Sequence, residues 1–451
     1  MKQILIIISF LLMVMLTNSC RKTDYKLEGQ YQVISDFGFG TGTTVWKANT
    51  QYLIDGLVFV NDGQKLTIEP GTVIRFKAGQ ADEASALIVA RGGKIIAEGT
   101  AQNPIIFTAE SDDLKGSVPL YAQGLWGGII ILGNARLNST GGEAHIEGIS
   151  LNEPRAVYGG QVDNDNSGSL KYVSVRHGGT NIGDGNEING ITLGGVGSET
   201  KIEFVEVVSN KDDGFEFFGG TVNARYLVSA FCGDDAFDYD LGYHGKGQFW
   251  CGLQSAAGGD KLIEADGNSV EKIISIPNSK PVLFNLTLVG NRDGSGDQLV
   301  SFNTNAAGSL QNSIMVEQDN GIVIEFSSFR SNSYTQLLDG KLKLTNNIFN
   351  SVNDNTPDGV FRVHGINGEN TTEQDNFMEA YFNTAANSIT DPGFVISQSE
   401  FNLNPQAEEV FANLQPYDDT WFLDVPYKGA FFNVNWADWT LVGQTGILAV
   451  K

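Results

Sequence analysis

Two acidic segments hold most of the chemistry this chain could perform. Lys211-Asp-Asp-Gly-Phe-Glu-Phe is followed 22 residues later by Gly233-Asp-Asp-Ala-Phe-Asp-Tyr. At that offset Asp212 aligns with Asp234, Asp213 with Asp235 and Glu216 with Asp238, and Asp240 extends the second segment. Phe215 and Phe217 flank Glu216, and Phe237 and Tyr239 alternate with Asp238 and Asp240. Successive strand residues face opposite sides, so rings turned toward a core put these carboxylates outside. On neighbouring strands about 4.8 Å apart the carboxylates repel one another, and their pKa values rise. A calcium ion, which takes about six to eight oxygen ligands, would offset that repulsion. Its candidate ligands are Asp212, Asp213, Glu216, Asp234, Asp235, Asp238 and Asp240. The competing reading is a set of turn aspartates that hydrogen-bond backbone amides.

Strands in register must position such a ladder, and internal repetition supplies them. Asn189-Gly-Ile-Thr-Leu193 falls in register with Asp213-Gly-Phe-Glu-Phe217 as a preceding coil. Leu66-Thr-Ile-Glu-Pro-Gly-Thr-Val-Ile-Arg returns as Leu87-Ile-Val-Ala-Arg-Gly-Gly-Lys-Ile-Ile, shifted by 21. Leu283-Phe-Asn285, Leu310-Gln-Asn312 and Leu344-Thr-Asn346 share a Leu-x-Asn pattern. The units are short and β-branched, bounded by Gly, Asn and Asp, which is strand-and-turn chemistry. With 54 glycines and no sustained 3.6-residue period, residues 46–350 should be almost free of helix. A propeller needs a period of roughly 40–50 residues, whereas about 21–22 fits one coil of a parallel β-helix. Each coil exposes an apolar side that stacking buries, so equivalent positions form columns. Asn285, Asn312 and Asn346 should form such a column, their amides bonding to the coil above.

The ends read differently. Residues 1–19 are a signal, 20–45 a tether and N-terminal cap, 46–350 the β-helix, and 351–451 an irregular, partly helical C-terminal extension and cap. Short helices are expected at Phe377-Met-Glu-Ala-Tyr-Phe and Gln406-Ala-Glu-Glu-Val-Phe-Ala-Asn-Leu. The aromatic run from Trp421-Phe422 through Tyr427, Phe431-Phe432, Trp436 and Trp439 should cover the open end of the solenoid. Stacking on sugars is its other use.

The chain resembles the Bacteroidetes-type exported β-helix lipoproteins. The resemblance lies in Leu66-Thr-Ile-Glu-Pro-Gly-Thr-Val-Ile, Leu125-Trp-Gly-Gly-Ile, Tyr172-Val-Ser-Val-Arg, the two acidic segments, Tyr427-Lys-Gly-Ala-Phe-Phe and Trp436 to Thr440. It spans nearly the whole mature chain. It implies an all-β, single-stranded, right-handed parallel β-helix of the pectin-lyase-like kind and a place in the cell envelope, and it implies no reaction. Asp213, Asp234 and Asp235 also resemble the acids of polygalacturonase-type glycoside hydrolases, which makes them candidate catalytic residues. Two departures stand against that: Lys211-Asp212 precedes the first acid where that family has Asn-Thr, and Tyr243-His244-Gly245 follows Asp235 too soon for its Gly-His-Gly. A polysaccharide lyase would need calcium and a base; Lys211, Arg225 and Lys246 lie near the ladder, where pairing with acids is the plainer role. The histidines, His145, His177, His244 and His364, have no paired metal spacing.

Lys2, the apolar run Ile4–Leu16 and Thr17-Asn-Ser before Cys20 describe a secretory signal of the lipoprotein type, with Cys20 as the lipidated residue. Thr17 stands where such signals usually carry an aliphatic residue. The apolar run is shorter than the roughly 20 residues a bilayer needs, so membrane contact is expected only through the lipid, at the outer membrane. A net charge of −24 argues against nucleic acid as a partner, and against anionic glycans unless a divalent cation bridges the two. Cys232 and Cys251 are a possible disulfide in an exported chain. At a 22-residue offset, however, Cys251 aligns with Ser229, out of step with Cys232. The expected function is binding of a ligand such as polysaccharide, or scaffolding of another envelope protein. The alternative is a carbohydrate-active enzyme, a polygalacturonase-like hydrolase or a polysaccharide lyase, working at the acidic ladder.

Overall fold

The computed structural model describes residues 31–451, apart from 184–185, 256–257, 268–275, 293, 296, 398 and 418. The signal segment and Cys20 lie outside the described residues. Short strands recur in triplets and pair in parallel from coil to coil, forming three walls around one apolar core. The first wall is a ten-stranded sheet that runs from Leu57–Val60 to Phe361–Gly365. The second and third walls share an 18-stranded sheet. In the middle coils one long strand, such as Gly168–Arg176, serves both walls by bending at its centre.

The bend is a single residue in left-handed backbone. Tyr172, Phe204, Tyr226 and Phe249 occupy it at φ of 49°, 56°, 60° and 59°, and Asn285, Asn312 and Asn346 continue the column at 58°, 51° and 61°. Asparagine tolerates this region and bulky residues resist it. The aromatic residues are held there by stacking. Tyr172, Phe204, Tyr226 and Phe249 follow one another with centroids 4.6, 4.3 and 5.0 Å apart.

Several expectations from sequence are met. Phe215 pairs with Phe237, Ile191 with Phe215, and Leu283, Leu310 and Leu344 form one column. Others are corrected. Leu66 pairs with Ile95 and Leu87 with Val58, so the 21-residue repeat matched one wall against another. Coil-to-coil pairing begins at Gln32, inside the expected tether, and reaches Ile389, well past residue 350. A short helix, Ser333–Leu338, interrupts the strands. The asparagine amides do not bond to the coil above. Those of Asn285, Asn312 and Asn346 donate to the carbonyls of Tyr427, Gln415 and Asn413 in the C-terminal extension.

That extension is not the end cap. The helix Thr372–Thr384 covers the last coil, placing Met378 and Phe382 in the core. Glu408–Phe411, within the second expected helix, is a single 3-10 turn. Residues 391–451 run back along the corner and cover the outside of the third wall. There Phe401, Leu403, Val410, Phe431 and Val442 bury Val228, Phe249, Val289, Ile314 and Ile348. Trp436 packs edge-on against Tyr226, and Trp439 against Tyr172.

Cys232 and Cys251 are both free and buried. Cys251 pairs with Val228, so the inserted residue lengthens the coil and moves the two thiols further out of step. They also face opposite sides of the wall, Cys232 toward the inner core and Cys251 toward the layer under the extension. Burial raises the Cys232 thiol to about 12.

A buried carboxylate fastens the extension. Glu206, fully shielded, accepts from Ser174 Oγ at 2.6 Å and from the backbone N–H groups of Leu441 and Val442 at 3.0 and 3.2 Å. Arg176 Nε donates to the same Ser174 hydroxyl at 2.8 Å. Glu206→Ala should leave these donors buried and unpaired, at a cost of about 3 kcal/mol or more. The variant should melt lower, and limited proteolysis should cut first between residues 391 and 451; an unchanged melting temperature and cleavage pattern would refute the fastening role.

Candidate functional site

The outward column of the first wall changes character along the axis. It reads Phe59, Ile88, Ile130, Thr192, Glu216, Asp238, Glu264, Ser301, Val323 and Arg362 in coil order. A neighbouring column reads Leu132, Gly194, Phe218 and Asp240. Loop 134–160, with its hairpin of Glu143–His145 and Val157–Gly159, lies over the apolar part of the wall. Its Leu137, Ile146, Ile149 and Tyr158 pack on Phe59, Ile88, Ile130 and Phe218. The loop ends where the acids begin, and Tyr158 stands 6.2 Å from Phe218, ring to ring.

The rings of Phe215, Phe217, Phe237 and Tyr239 do point into the core, leaving the acids on the outer side. Yet Glu216 is only 7% exposed, Asp213 6% and Asp235 2%. Asp213 and Asp235 occupy a turn column. Asp213 Oδ1 accepts the Asp235 N–H at 2.9 Å, and Asp235 Oδ1 accepts the Lys261 N–H at 2.6 Å. Each thus caps the coil that follows it, as turn aspartates do. Glu216 accepts from the Asn189 side chain. Asp238 and Asp240 keep part of their surface in solvent, but Oδ1 of each is shielded and accepts no hydrogen bond among the described residues. A shielded, unpartnered oxygen on a charged group is costly unless a cation meets it.

Sequence reasoning missed several members. Glu264 and Asp266, in Ile263-Glu-Ala-Asp266, continue the alternation of Phe237-Asp-Tyr-Asp240, but an insertion before them breaks the 22-residue spacing. Glu147 comes from the covering loop and had no local signal. Lys261 is the cation among them, 3.2 Å from Glu264 and 3.8 Å from Asp235, and it also pairs with Asp260. The other basic residues near the ladder in sequence are ion-paired elsewhere: Lys211 with Glu187, Arg225 with Glu203 and Lys246 with Asp419.

Burial and mutual repulsion raise the whole set. Burial, then the charges of Asp238, Asp213 and Glu147, push Glu216 well above the usual carboxylate range. Burial and Asp240 do the same to Asp238, and burial with Asp266 and Glu147 to Asp240. Asp213 and Asp235 rise for the same reasons, and Asp212 reaches about 7 through burial and the charge of Asp234. Burial works against the charge of Lys261, but Asp235, Asp260 and Glu264 outweigh it and hold the amine protonated.

Three triads bring one carboxylate oxygen from each member within 4.8 Å of the others: Asp212, Asp213 and Asp234; Asp213, Glu216 and Asp238; Asp234, Asp235 and Asp260. All the donors are oxygen, which suits a hard cation such as Ca2+ rather than zinc. For hydrolysis, the Asp213 and Asp234 oxygens are closer than the roughly 6.5–9.5 Å that an inverting acid–base pair keeps around its water.

These carboxyl groups ionise at higher pH folded than unfolded. Their stabilising contribution is therefore full below about pH 4 and is lost as pH rises through the folded pKa, for Asp212 between about pH 4 and 7. Protein stripped of divalent cations should melt higher at pH 5.5 than at pH 7.5. Asp238→Asn with Asp240→Asn should flatten the difference; a wild type that gains stability over that interval would contradict the electrostatics described.

No curated protein and no solved structure matches the chain. Residues 38–391, most of the sequence, match the family model described as a pectate-lyase-like β-helix domain, and the coils occupy that same stretch. The chain therefore belongs to the pectate-lyase-like β-helix family.

Proposed function

We propose that this protein is a glycan-binding β-helix of the cell envelope, stabilised by calcium at its acidic wall and anchored by lipid at Cys20. The observation that carries the calcium is the pair of shielded oxygens without partners among the described residues, Oδ1 of Asp238 and Oδ1 of Asp240, in a wall where Lys261 is a nearby cation. Asp213, Glu216 and Asp238 are the central ligands in this reading, with Asp212, Asp234, Asp235 and Asp240 around them. Calcium would neutralise the stacked charges and let every carboxylate ionise at neutral pH.

Binding is favoured over hydrolysis by what the candidate catalytic acids already do. Asp213 and Asp235 are buried and hold backbone amides of the next coil, whereas Asp234 is exposed, with a carboxylate oxygen within 4.8 Å of those of Asp235 and Asp260. A general acid must reach the glycosidic oxygen of a sugar lying in a groove, and buried carboxylates engaged in turns, as Asp213 and Asp235 are, are poorly placed for that. The carbohydrate ligand is inferred from the family, whose domain is named for pectate lyase.

Calcium should raise the melting temperature of the full mature chain, by the equivalent of about 2.7 kcal/mol at a hundredfold excess over Kd. Glu216→Gln with Asp238→Asn should abolish the shift while leaving the turn caps of Asp213 and Asp235 intact. A glycan screen should find binding without new reducing ends; turnover that Asp235→Asn removes would establish the hydrolase instead. For the anchor, Cys20→Ser should move the protein from the membrane fraction to the soluble one; continued membrane association would rule the lipid out.

A further inference from the structure

The first coil carries an apolar loop that packing of the core does not require. Residues 36–42, Asp-Phe-Gly-Phe-Gly-Thr-Gly, join the strands Gln32–Ile34 and Thr44–Trp46. They lie along the edge of Leu57–Val60, the terminal strand of the first wall, where the Thr41 N–H donates to the Phe59 carbonyl at 2.8 Å. Asp36 folds the loop. Its Oδ1 accepts the N–H groups of Gly38 and Gly40 at 2.7 and 2.9 Å. Its Oδ2 accepts the Phe59 N–H at 3.2 Å and the Arg155 guanidinium at 2.7 Å. Gly38 and Gly40 adopt left-handed φ of 94° and 66°, which this curl requires. Asn61 and Gln64 donate to the Gly38 and Phe39 carbonyls at 3.2 and 2.7 Å, and Gln64 Oε1 accepts the Gly42 N–H at 3.0 Å.

These bonds hold two rings in water. Phe37 is 85% exposed and Phe39 81%, and neither joins an apolar cluster or meets another ring among the described residues. Val33 and Val45, on the flanking strands, are about half exposed. Apolar residues scattered singly on a surface are ordinary. Two phenylalanines held out by a pinned loop are pre-organised for contact, because little freedom is left to lose. The contact is too small for a specific protein interface. Two rings bury roughly 300–500 Å2, against about 800 Å2 that each partner of a stable complex contributes. A lipid bilayer needs no such area or shape match, and phenylalanine sinks readily into its headgroup boundary. Chain length favours the bilayer too. Phe37 follows Cys20 by only 17 residues, and the stretch from Cys20 to Tyr31 can span at most roughly 40 Å.

We propose that Phe37 and Phe39 insert into the lipid headgroup boundary and seat the first coil of the solenoid on the membrane that holds the Cys20 anchor. The inference rests on the lipid-anchor reading above, and it adds the surface that the protein turns to the bilayer. The anchor keeps lipid at high local concentration, so a contact too weak to retain the protein alone is occupied. The loop then fixes orientation. The acidic strand Phe215–Phe218 stands four coil steps from Leu57–Val60, about 19 Å along the axis, which holds its carboxylates clear of the headgroups. Insertion is apolar in character. The loop's own carboxylate, Asp36, is turned inward onto Arg155, and a chain of net charge −24 gains nothing from anionic lipid.

The test replaces the natural anchor with an artificial one. The full mature chain, with a polyhistidine segment in place of Cys20, is tethered to phosphatidylcholine vesicles that contain a nickel-chelating lipid. A bimane label is attached at Phe39→Cys or, as reference, at Phe329→Cys; Cys232 and Cys251 are buried and stay unlabelled. Phe329 is exposed and follows the strand Asn320–Phe326, eight coil steps from Leu57–Val60 or about 38 Å. Lipid brominated on its acyl chains should quench the label at position 39 at least about twofold more than the label at 329. Phe37→Ser should reduce that difference without moving the melting temperature. Added salt should leave it unchanged, since no charge pair makes the contact. Equal quenching at the two positions, with position 39 open to aqueous iodide, overturns the proposal. A label at 39 shielded from lipid and iodide alike overturns it in favour of cover by residues 20–30, or by a second copy if dilution exposes the label. The anchor is judged separately, by membrane fractionation of Cys20→Ser. Release without insertion defeats this inference and leaves the anchor standing; insertion without release defeats the anchor alone.

Discussion

Everything in this molecule follows from the parallel hydrogen bonding of each coil to the next. The pairing fixes the axial repeat at about 4.8 Å and converts similarity at a distance in sequence into columns in space. A column of leucines or phenylalanines is favourable because it is continuous. A column of carboxylates is unfavourable for the same reason, since backbone pairing forbids the side chains from separating. The acidic wall is what results when ladder energetics override local electrostatics, and the raised pKa values of Glu216, Asp238 and Asp240 register the conflict.

The three walls resolve their outer faces in three ways. The first is apolar where a hairpin loop lies on it and acidic beyond. The third is apolar throughout its middle and is covered by residues 391–451. The second is covered only in part, where Tyr417 and Phe422 of the extension lie on Phe284, and it carries exposed lysines beside them. The corner column joins the last two: it holds aromatic rings where the extension presents Trp436 and Trp439, and asparagines where the extension presents carbonyls. What sits at the left-handed corner is thus matched to what the extension offers there.

Much of this was legible because strand alternation is local. Phe215-Glu-Phe and Phe237-Asp-Tyr-Asp announce an inner and an outer face, and their 22-residue spacing is the true register. The repeat at Leu66 and Leu87 misled because walls of similar composition imitate one another, so a shift of 21 looked like a coil when the coil is 29 residues long, from Leu66 to Ile95. The asparagine column was found and its partners were not, since Tyr427, Gln415 and Asn413 are more than 60 residues away in sequence. The same holds for Glu147 over the acids and for the opposed faces of Cys232 and Cys251. Long-range covering of a solenoid leaves no periodic trace.

The covering of the third wall also has a temporal meaning. Residues 391–451 follow every strand they shelter, and Glu206 waits more than 230 residues for the amides of Leu441 and Val442. A growing or translocating chain can stack its coils as they emerge, because each needs only its neighbour. Until the last segment arrives, however, the strip of Val228, Phe249, Val289, Ile314 and Ile348 faces water, an aggregation-prone surface on an otherwise finished solenoid. In chain order the closing of the third wall is therefore the last step open to the protein, after its coils have the neighbours they need. Until that closing, the same strip is the surface a chaperone would find to hold.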